Sequence, residues 1–346
     1  MKYKFLSIFI TLLLLQSCDK NDDLNEQEVE NTILEYTRSP IELNGIDIKF
    51  SKDISYGPYP KNTFDIFIPN FDEPTPLVIY IHGGGFLGGE KENPYSVMWN
   101  GSWDFPSEIR TLLTNKIAFA SINYRLLALK GDTDGVLKSL NDSKRCLQFI
   151  RAISNVLNID KNNIVLCGSS AGAGTSEWLA FSDDMNDPSN PDPVLRQSTR
   201  VKGIAVKATQ ASYDLERYAS DIFKEYNFTW QRYFQQDPDM IPRFNSFYGI
   251  DSLNEFYSDR IKEYRQKVDM LAMMSANDPE FWVSNPQTPV VKPTQSNILN
   301  HHSFHAKTLK KWGDSLGIPN KVYYGYYQDP SGESFVDFMI RKTKEQ

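Results

Sequence analysis

Ile164-Val165-Leu166-Cys167 runs directly into Gly168-Ser169-Ser170-Ala171-Gly172, and Thr175 to Phe181 follow closely. The four apolar residues predict a short strand buried on both faces. The small residues predict a tight turn, and the segment beyond them can form a helix. A strand, a turn with serine at its apex and a helix make up the nucleophile-elbow pattern Gly-x-Ser-x-Gly. Its physical demand is that Ser170 occupy a strained turn, so the residues two away on either side must let strand and helix approach. Gly168 and Gly172 meet that demand. The hydroxyl then projects at the carboxyl end of the sheet, beside a helix N-terminus that favours developing negative charge. Glycine and serine are common in loops, so it is the position after a buried strand that gives the pattern its weight.

Outward from this turn the chain keeps one rhythm. Phe64-Asp65-Ile66-Phe67-Ile68, Leu77-Val78-Ile79-Tyr80-Ile81 and Ile117-Ala118-Phe119-Ala120-Ser121-Ile122 are further β-branched-rich runs bounded by turn residues. Before the elbow strand, Leu137, Leu140, Cys146, Phe149, Ile150 and Ile153 recur at helical spacing. Strands alternating with helices predict a doubly wound α/β fold with a mainly parallel sheet. One more strand fits Val201 to Lys207. From Ala211 to Ser284 the sequence turns aromatic and charged, with helical stretches at Ser252 to Ser258 and Ile261 to Met274; it is expected to form a helical cap inserted over the sheet edge. The rhythm resumes with a strand at Pro289-Val290-Val291, a helix from His302 to Leu316, a strand from Lys321 to Tyr327 and a helix from Ser334 to Lys342. No internal repeat is visible.

His82-Gly83-Gly84-Gly85-Phe86 follows the Leu77 to Ile81 strand. A triple glycine lets consecutive backbone N–H groups face a ligand without side-chain obstruction, as an oxyanion hole requires. With the N–H of Ala171, those of Gly84 and Gly85 would hold the oxygen of a tetrahedral intermediate, each contributing roughly 2.7–4 kcal/mol to the transition state. His82, placed between strand and hole, reads as a residue that orients the loop and not as a catalytic base.

The stretch from Thr63 to about Lys207 resembles the esterase/lipase group of α/β-hydrolases that carry an HGGG loop. Asn123-Tyr124-Arg125-Leu126 and the run from Asp142 to Ile150 into Asn158-Ile159-Asp160 support it. The resemblance implies an α/β-hydrolase fold and a carboxylic-ester hydrolase with Ser170 as nucleophile. It also implies an acid after the strand at Pro289 to Lys292, and a base after the final strand in a loop that often reads Gly-His-Gly-Phe. Here the final loop is Gln328-Asp329-Pro330-Ser331-Gly332-Glu333-Ser334-Phe335, with no histidine, and the stretch from Lys292 to Asn300 has no carboxylate. Two explanations compete. In one the roles have exchanged loops: His301 or His302, with His302 preferred, supplies the base, and Asp329 or Glu333 orients it. A triad is defined by its roles and not by its chain order. In the other the chain is a catalytically impaired α/β-hydrolase that binds a glycan or lipid in the same cleft, and His301-His302 merely begins a helix with His305 packed one turn on.

The amino terminus indicates the compartment. Lys2 and Lys4 precede an apolar run from Phe5 to Leu15, too short to span a bilayer, so residues 1–17 read as a signal peptide. Leu15-Gln16-Ser17-Cys18 resembles a lipobox, which implies lipidation of Cys18 and anchoring in the outer membrane of a Gram-negative bacterium, on the periplasmic or surface side. Residues 18–38 are expected to form a flexible tether and 39–346 the hydrolase domain. A net charge of −7 argues against a nucleic-acid partner. Cys146 and Cys167 read as core residues, and with four histidines and no metal-spaced cluster neither a metal nor an organic cofactor is implied. The partners expected are a small-molecule or glycan-linked ester and the membrane. Tyr213, Tyr218, Tyr226, Phe228, Trp230, Tyr233 and Phe234 form a dense aromatic set that either packs the cap itself or lines a sugar or acyl site.

Overall fold

The computed structural model describes Val29 and residues 32–98, 103–287 and 292–345. The signal peptide, Cys18 and the strand expected at Pro289-Val290-Val291 lie outside the described residues. Val29 is buried against the core and Tyr36–Thr37 already pairs with the sheet, so the ordered domain begins before residue 39.

Nine strands form one sheet: β1 (Tyr36–Thr37), β2 (Ile48–Ser55), β3 (Thr63–Pro69), β4 (Thr75–Ile81), β5 (Ala118–Ile122), β6 (Ile159–Ser169), β7 (Gly203–Lys207), β8 (Glu280–Asn285) and β9 (Asn320–Tyr324). Their spatial order is β1-β2-β3-β5-β4-β6-β7-β8-β9. The pairs from β1 to β5 are antiparallel, and β5-β4-β6-β7-β8-β9 run parallel. The helices used below are α1 (Phe105–Thr114), α2 (Val136–Ala152), α3 (Ala171–Phe181), α4 (Trp230–Gln236), α5 (Met240–Tyr248), α6 (Asp259–Gln266), α7 (Ser296–His301), α8 (Ser303–Leu316) and α9 (Phe335–Lys344).

The apolar strands are buried on both sides because alternate residues feed two cores. Leu77, Ile79, Ile81, Ile164 and Leu166 pack with α2, α3 and α8. Val78, Tyr80, Phe119, Val165 and Cys167 pack with α1 and α9. A period of two within a continuous apolar run is what a doubly covered parallel strand shows. The chain leaves β4 for β5 on one side and reaches β6 on the other, so a crevice opens at the carboxyl ends of β4 and β6. His82 and Ser170 stand at those two ends.

The eighth strand is Glu280–Asn285, beginning inside the stretch that the sequence reading gives to the cap. Phe281 and Val283 face one core and Trp282 the other, and Pro286, with no N–H to donate, follows the strand's last residue. The cap therefore closes before residue 280. It is fastened by side chains: Tyr213 Oη donates to Ala171 O at 2.7 Å, Ser246 Oγ to Ala128 O at 2.7 Å, and Trp178 Nε1 to Lys267 O at 2.9 Å. Of the seven cap aromatics, Tyr213, Tyr218 and Trp230 line the crevice. Phe228, Tyr233 and Phe234 pack against Trp230 inside the cap, and Tyr226 stacks on Phe304 of α8.

Candidate active site

Ser170 sits between β6 and α3 with φ +52° and ψ −120°. A non-glycine residue held there costs on the order of 1–3 kcal/mol, so the surroundings must enforce it. They do so by closeness. A Cβ on Gly172 would lie 1.9 Å from Ile81 O, and one on Gly168 2.6 Å from the Gly172 carbonyl carbon. The Ser170 N–H is tied to Lys207 O at 3.1 Å. The elbow is thus clamped between β4 and β7 with no room for side chains at the two glycines.

The oxyanion loop leans on the same turn. A Cβ on Gly83 would meet Ser169 O at 2.8 Å, and Gly84, at φ +112°, would drive one into Gly88 O at 2.2 Å. Gly84, Gly85 and Ala171 line the cavity with Ser170, and their N–H groups donate to no acceptor among the described residues. Unbonded N–H groups on a cavity wall are the donors that an oxyanion hole requires. His82 is fully buried. Its Nδ1 lies 2.7 Å from Gly83 O, its ring stacks on Tyr124 at 4.2 Å, and Tyr124 Oη donates to His82 O. Burial pushes its pKa down to about 4. It is a neutral clamp on the loop.

Of the two adjacent histidines, the structure brings His301, and not the expected His302, to Ser170. His301 Nε2 lies 2.8 Å from Ser170 Oγ. His302 is fully buried behind it; its Nδ1 accepts from Phe304 N at 3.1 Å and caps α8, while its ring meets Phe223, Tyr226 and Phe304. The reason lies in the chain path: α7 ends at His301, His302 turns into extended backbone at ψ 145°, and successive side chains diverge. His305 is buried as expected, with Nε2 donating to Leu299 O and Nδ1 accepting from Ala211 N.

Neither expected acid reaches the base. Asp329 accepts from the N–H and hydroxyl of Ser331 in its own turn. Glu333 pairs with Arg341, which also holds Glu280, under the far face of the sheet. The partner of His301 is instead Asn297, whose Oδ1 lies 2.7 Å from Nδ1. With Oδ1 accepting from Nδ1–H, Nε2 keeps its lone pair for the Ser170 hydroxyl. Asn297 and His301 stand four residues apart on α7, the spacing that stacks side chains on one helix face. A search for a carboxylate passes over an amide, although that spacing was legible.

Helix α7 has only six residues and leaves its final carbonyls without partners inside the helix. Side chains from three other elements take them. His305 donates to Leu299 O at 2.8 Å, Gln210 Nε2 to Asn300 O at 2.9 Å, and Asn285 Nδ2 to His301 O at 3.5 Å and to His302 O, just past the helix, at 3.1 Å. Asn285, at the end of β8, also exchanges two bonds with the backbone of Thr209. The position of His301 is therefore fixed by side chains that bond to the backbone around it.

Burial holds the His301 imidazole below the ordinary histidine value, and no Asp or Glu among the described residues lines the cavity to support its charged form. A general base works while neutral. The pH profile of kcat/KM is therefore expected to stay flat from neutrality down to about pH 6.5, the ordinary histidine value, and to fall only below it. In Asn297→Asp a carboxylate beside Nδ1 favours the imidazolium, so the acid limb should move to higher pH. A wild-type profile already falling through pH 7, or an unmoved limb in the variant, contradicts this assignment.

Residues 64–302 match the family model BD-FAE, well over half of the chain, and the match spans the oxyanion loop, the elbow and His301. The chain belongs to the BD-FAE family. BD-FAE is an α/β-hydrolase family of esterases, so the chain is an enzyme of the ester-hydrolysing kind. Solved structures share this BD-FAE chain's fold at low identity. An acetyl ester-xyloside bifunctional hydrolase from Caldicellulosiruptor lactoaceticus is 17% identical, with a TM-score of 0.51 over 87% of this chain and 88% of that one. A truncated carbohydrate esterase from gut microbiota is 14% identical, with a TM-score of 0.54 over 86% and 96%. A bacterial heroin esterase is 16% identical, with a TM-score of 0.52 over 88% and 87%. No curated protein matches this BD-FAE chain by sequence.

Proposed function

We propose that the chain is a serine carboxylic-ester hydrolase acting on small or carbohydrate-linked acyl esters. The observation that carries this reading is the 2.8 Å approach of His301 Nε2 to Ser170 Oγ on the wall of a cavity of about 710 Å³ that also holds three free N–H donors. Ser170 Oγ attacks the ester carbonyl carbon while His301 takes its proton, and the carbonyl oxygen becomes an oxyanion held by Gly84, Gly85 and Ala171. The imidazolium then protonates the leaving alkoxide, which departs and leaves an acyl-Ser170. Water, deprotonated by His301, attacks the acyl carbon, and the acid leaves as Ser170 recovers its proton. Asn297 keeps the ring in register throughout, but an amide cannot offset the imidazolium charge as a carboxylate would.

The lining supports a substrate with both an apolar and a hydroxyl-bearing part. Tyr213, Tyr218, Trp230 and Phe244 offer ring faces, and Gln287 Oε1, buried on the wall without a partner among the described residues, is an acceptor for a hydroxyl. The test is acetate release from acetylated xylo-oligosaccharide and from an aryl acetate, with and without prior treatment by an aryl phosphonate that labels active serines. Turnover of both, abolished together with labelling at Ser170, is the expected result. Turnover that survives complete labelling of Ser170 would remove it as nucleophile. Turnover of the aryl ester alone would remove the carbohydrate.

A further inference from the structure

The cap places one charge on the wall of the cavity. Helix α5 turns Met240, Arg243, Phe244 and Phe247 toward it, spaced as one helical face. The row is apolar except for Arg243. Among the described residues lining the cavity, Arg243 is the sole Lys or Arg, and no Asp or Glu lines it, in a chain with 44 acidic residues against 37 basic ones.

The other arginines of the cap are occupied. Arg217 pairs with Asp269 and Asp221, Arg265 with Asp214, Arg260 with Glu255, and Arg232 donates to Asn227 O. Arg243 has neither an ion pair nor a hydrogen bond among the described residues. It is exposed to solvent and to the cavity, with Phe244 and Phe247 beside it on the helix. A guanidinium presents a rigid fork of donors that matches a carboxylate in two-point fashion, and apolar surroundings strengthen the contact.

We propose that Arg243 receives a carboxylate carried by the substrate, so that the enzyme prefers esters of acid-bearing molecules. The proposal rests on the esterase reading of the same cavity. The carboxylate can sit on the acyl or the alcohol part, and two matched pairs distinguish them: 4-nitrophenyl hemiglutarate against its methyl ester, and 4-acetoxybenzoate against its methyl ester.

The readout is the ratio of kcat/KM for acid over methyl ester in each pair, compared between wild type, Arg243→Gln and Arg243→Lys, so that intrinsic reactivity cancels. In one pair the ratio is expected to fall roughly tenfold in Arg243→Gln, the order of a charge-assisted hydrogen bond, and less in Arg243→Lys. The wild-type ratio should also fall in about 1 M salt, where the screening length is roughly 3 Å. Ratios that Arg243→Gln leaves unchanged in both pairs overturn the proposal while Ser170-dependent turnover of the methyl esters leaves the esterase standing. Failure to turn over any of the four esters overturns both.

Discussion

Ser170→Ala and His301→Ala are each expected to lower kcat/KM for a short-chain aryl ester by roughly 10³-fold or more, and the double variant to be little worse than either. In the proposed mechanism the two side chains, 2.8 Å apart, act as one proton-transfer unit, so removing either would remove the nucleophile's activation. What remains would come from the backbone N–H donors and the rest of the cavity lining, which neither substitution removes. His302→Ala is the informative control. That ring is buried and caps α8, so its loss should destabilise the fold by roughly 1–3 kcal/mol, read as a lower melting temperature, with catalysis per folded molecule largely kept. If His302→Ala removed activity and His301→Ala did not, the base would have to be reassigned.

Gly172→Ala is expected to have the second largest effect, on stability and activity together. The added methyl would fall 1.9 Å from Ile81 O, 2.5 Å from the Ile81 carbonyl carbon and 2.6 Å from His82 O. All three are backbone atoms of the β4 end, so no side chain can swing aside. Either α3 backs away from β4 or β4 shifts and carries the oxyanion loop with it. Overpacking of this kind typically costs about 1–3 kcal/mol, and an all-backbone collision belongs at the upper end or beyond. Gly88→Ala supplies the comparison within the same loop, since a methyl there meets nothing within 4 Å. Calorimetry and esterase assays on both variants settle the point: a Gly172→Ala protein with wild-type melting temperature and rate would show that the elbow is looser than the contacts require.

The parts legible in the sequence were those built from local pattern. The strand-turn-helix around Ser170 and the triple glycine after β4 announce themselves because turn geometry restricts which residues fit. The two-core alternation of β4 and β6 follows from their length and apolarity. The base and its partner were less legible because they depend on where two adjacent histidines point, which a break in helix phase at His302 decides. Asn285, Gln210 and His305 act through backbone carbonyls brought together only by the fold, and nothing in their own neighbourhoods marks them. The eighth strand was missed for a different reason: Val290-Val291 drew attention by composition, whereas Glu280–Asn285, with one β-branched residue, is a strand because its two sides meet two cores.

Gln210 is the last residue before the cap, and its amide grips the carbonyl of Asn300, next to the base. The root of the cap and the seat of the histidine thus share a tether about one residue wide. A bulky substrate that pushed the cap outward would tug the imidazole off its line to Ser170, whereas one that fitted beneath an unmoved cap would leave it aligned. On this arrangement a substrate too large for the cavity is expected to show a loss of kcat through misalignment of His301, beyond any rise in KM.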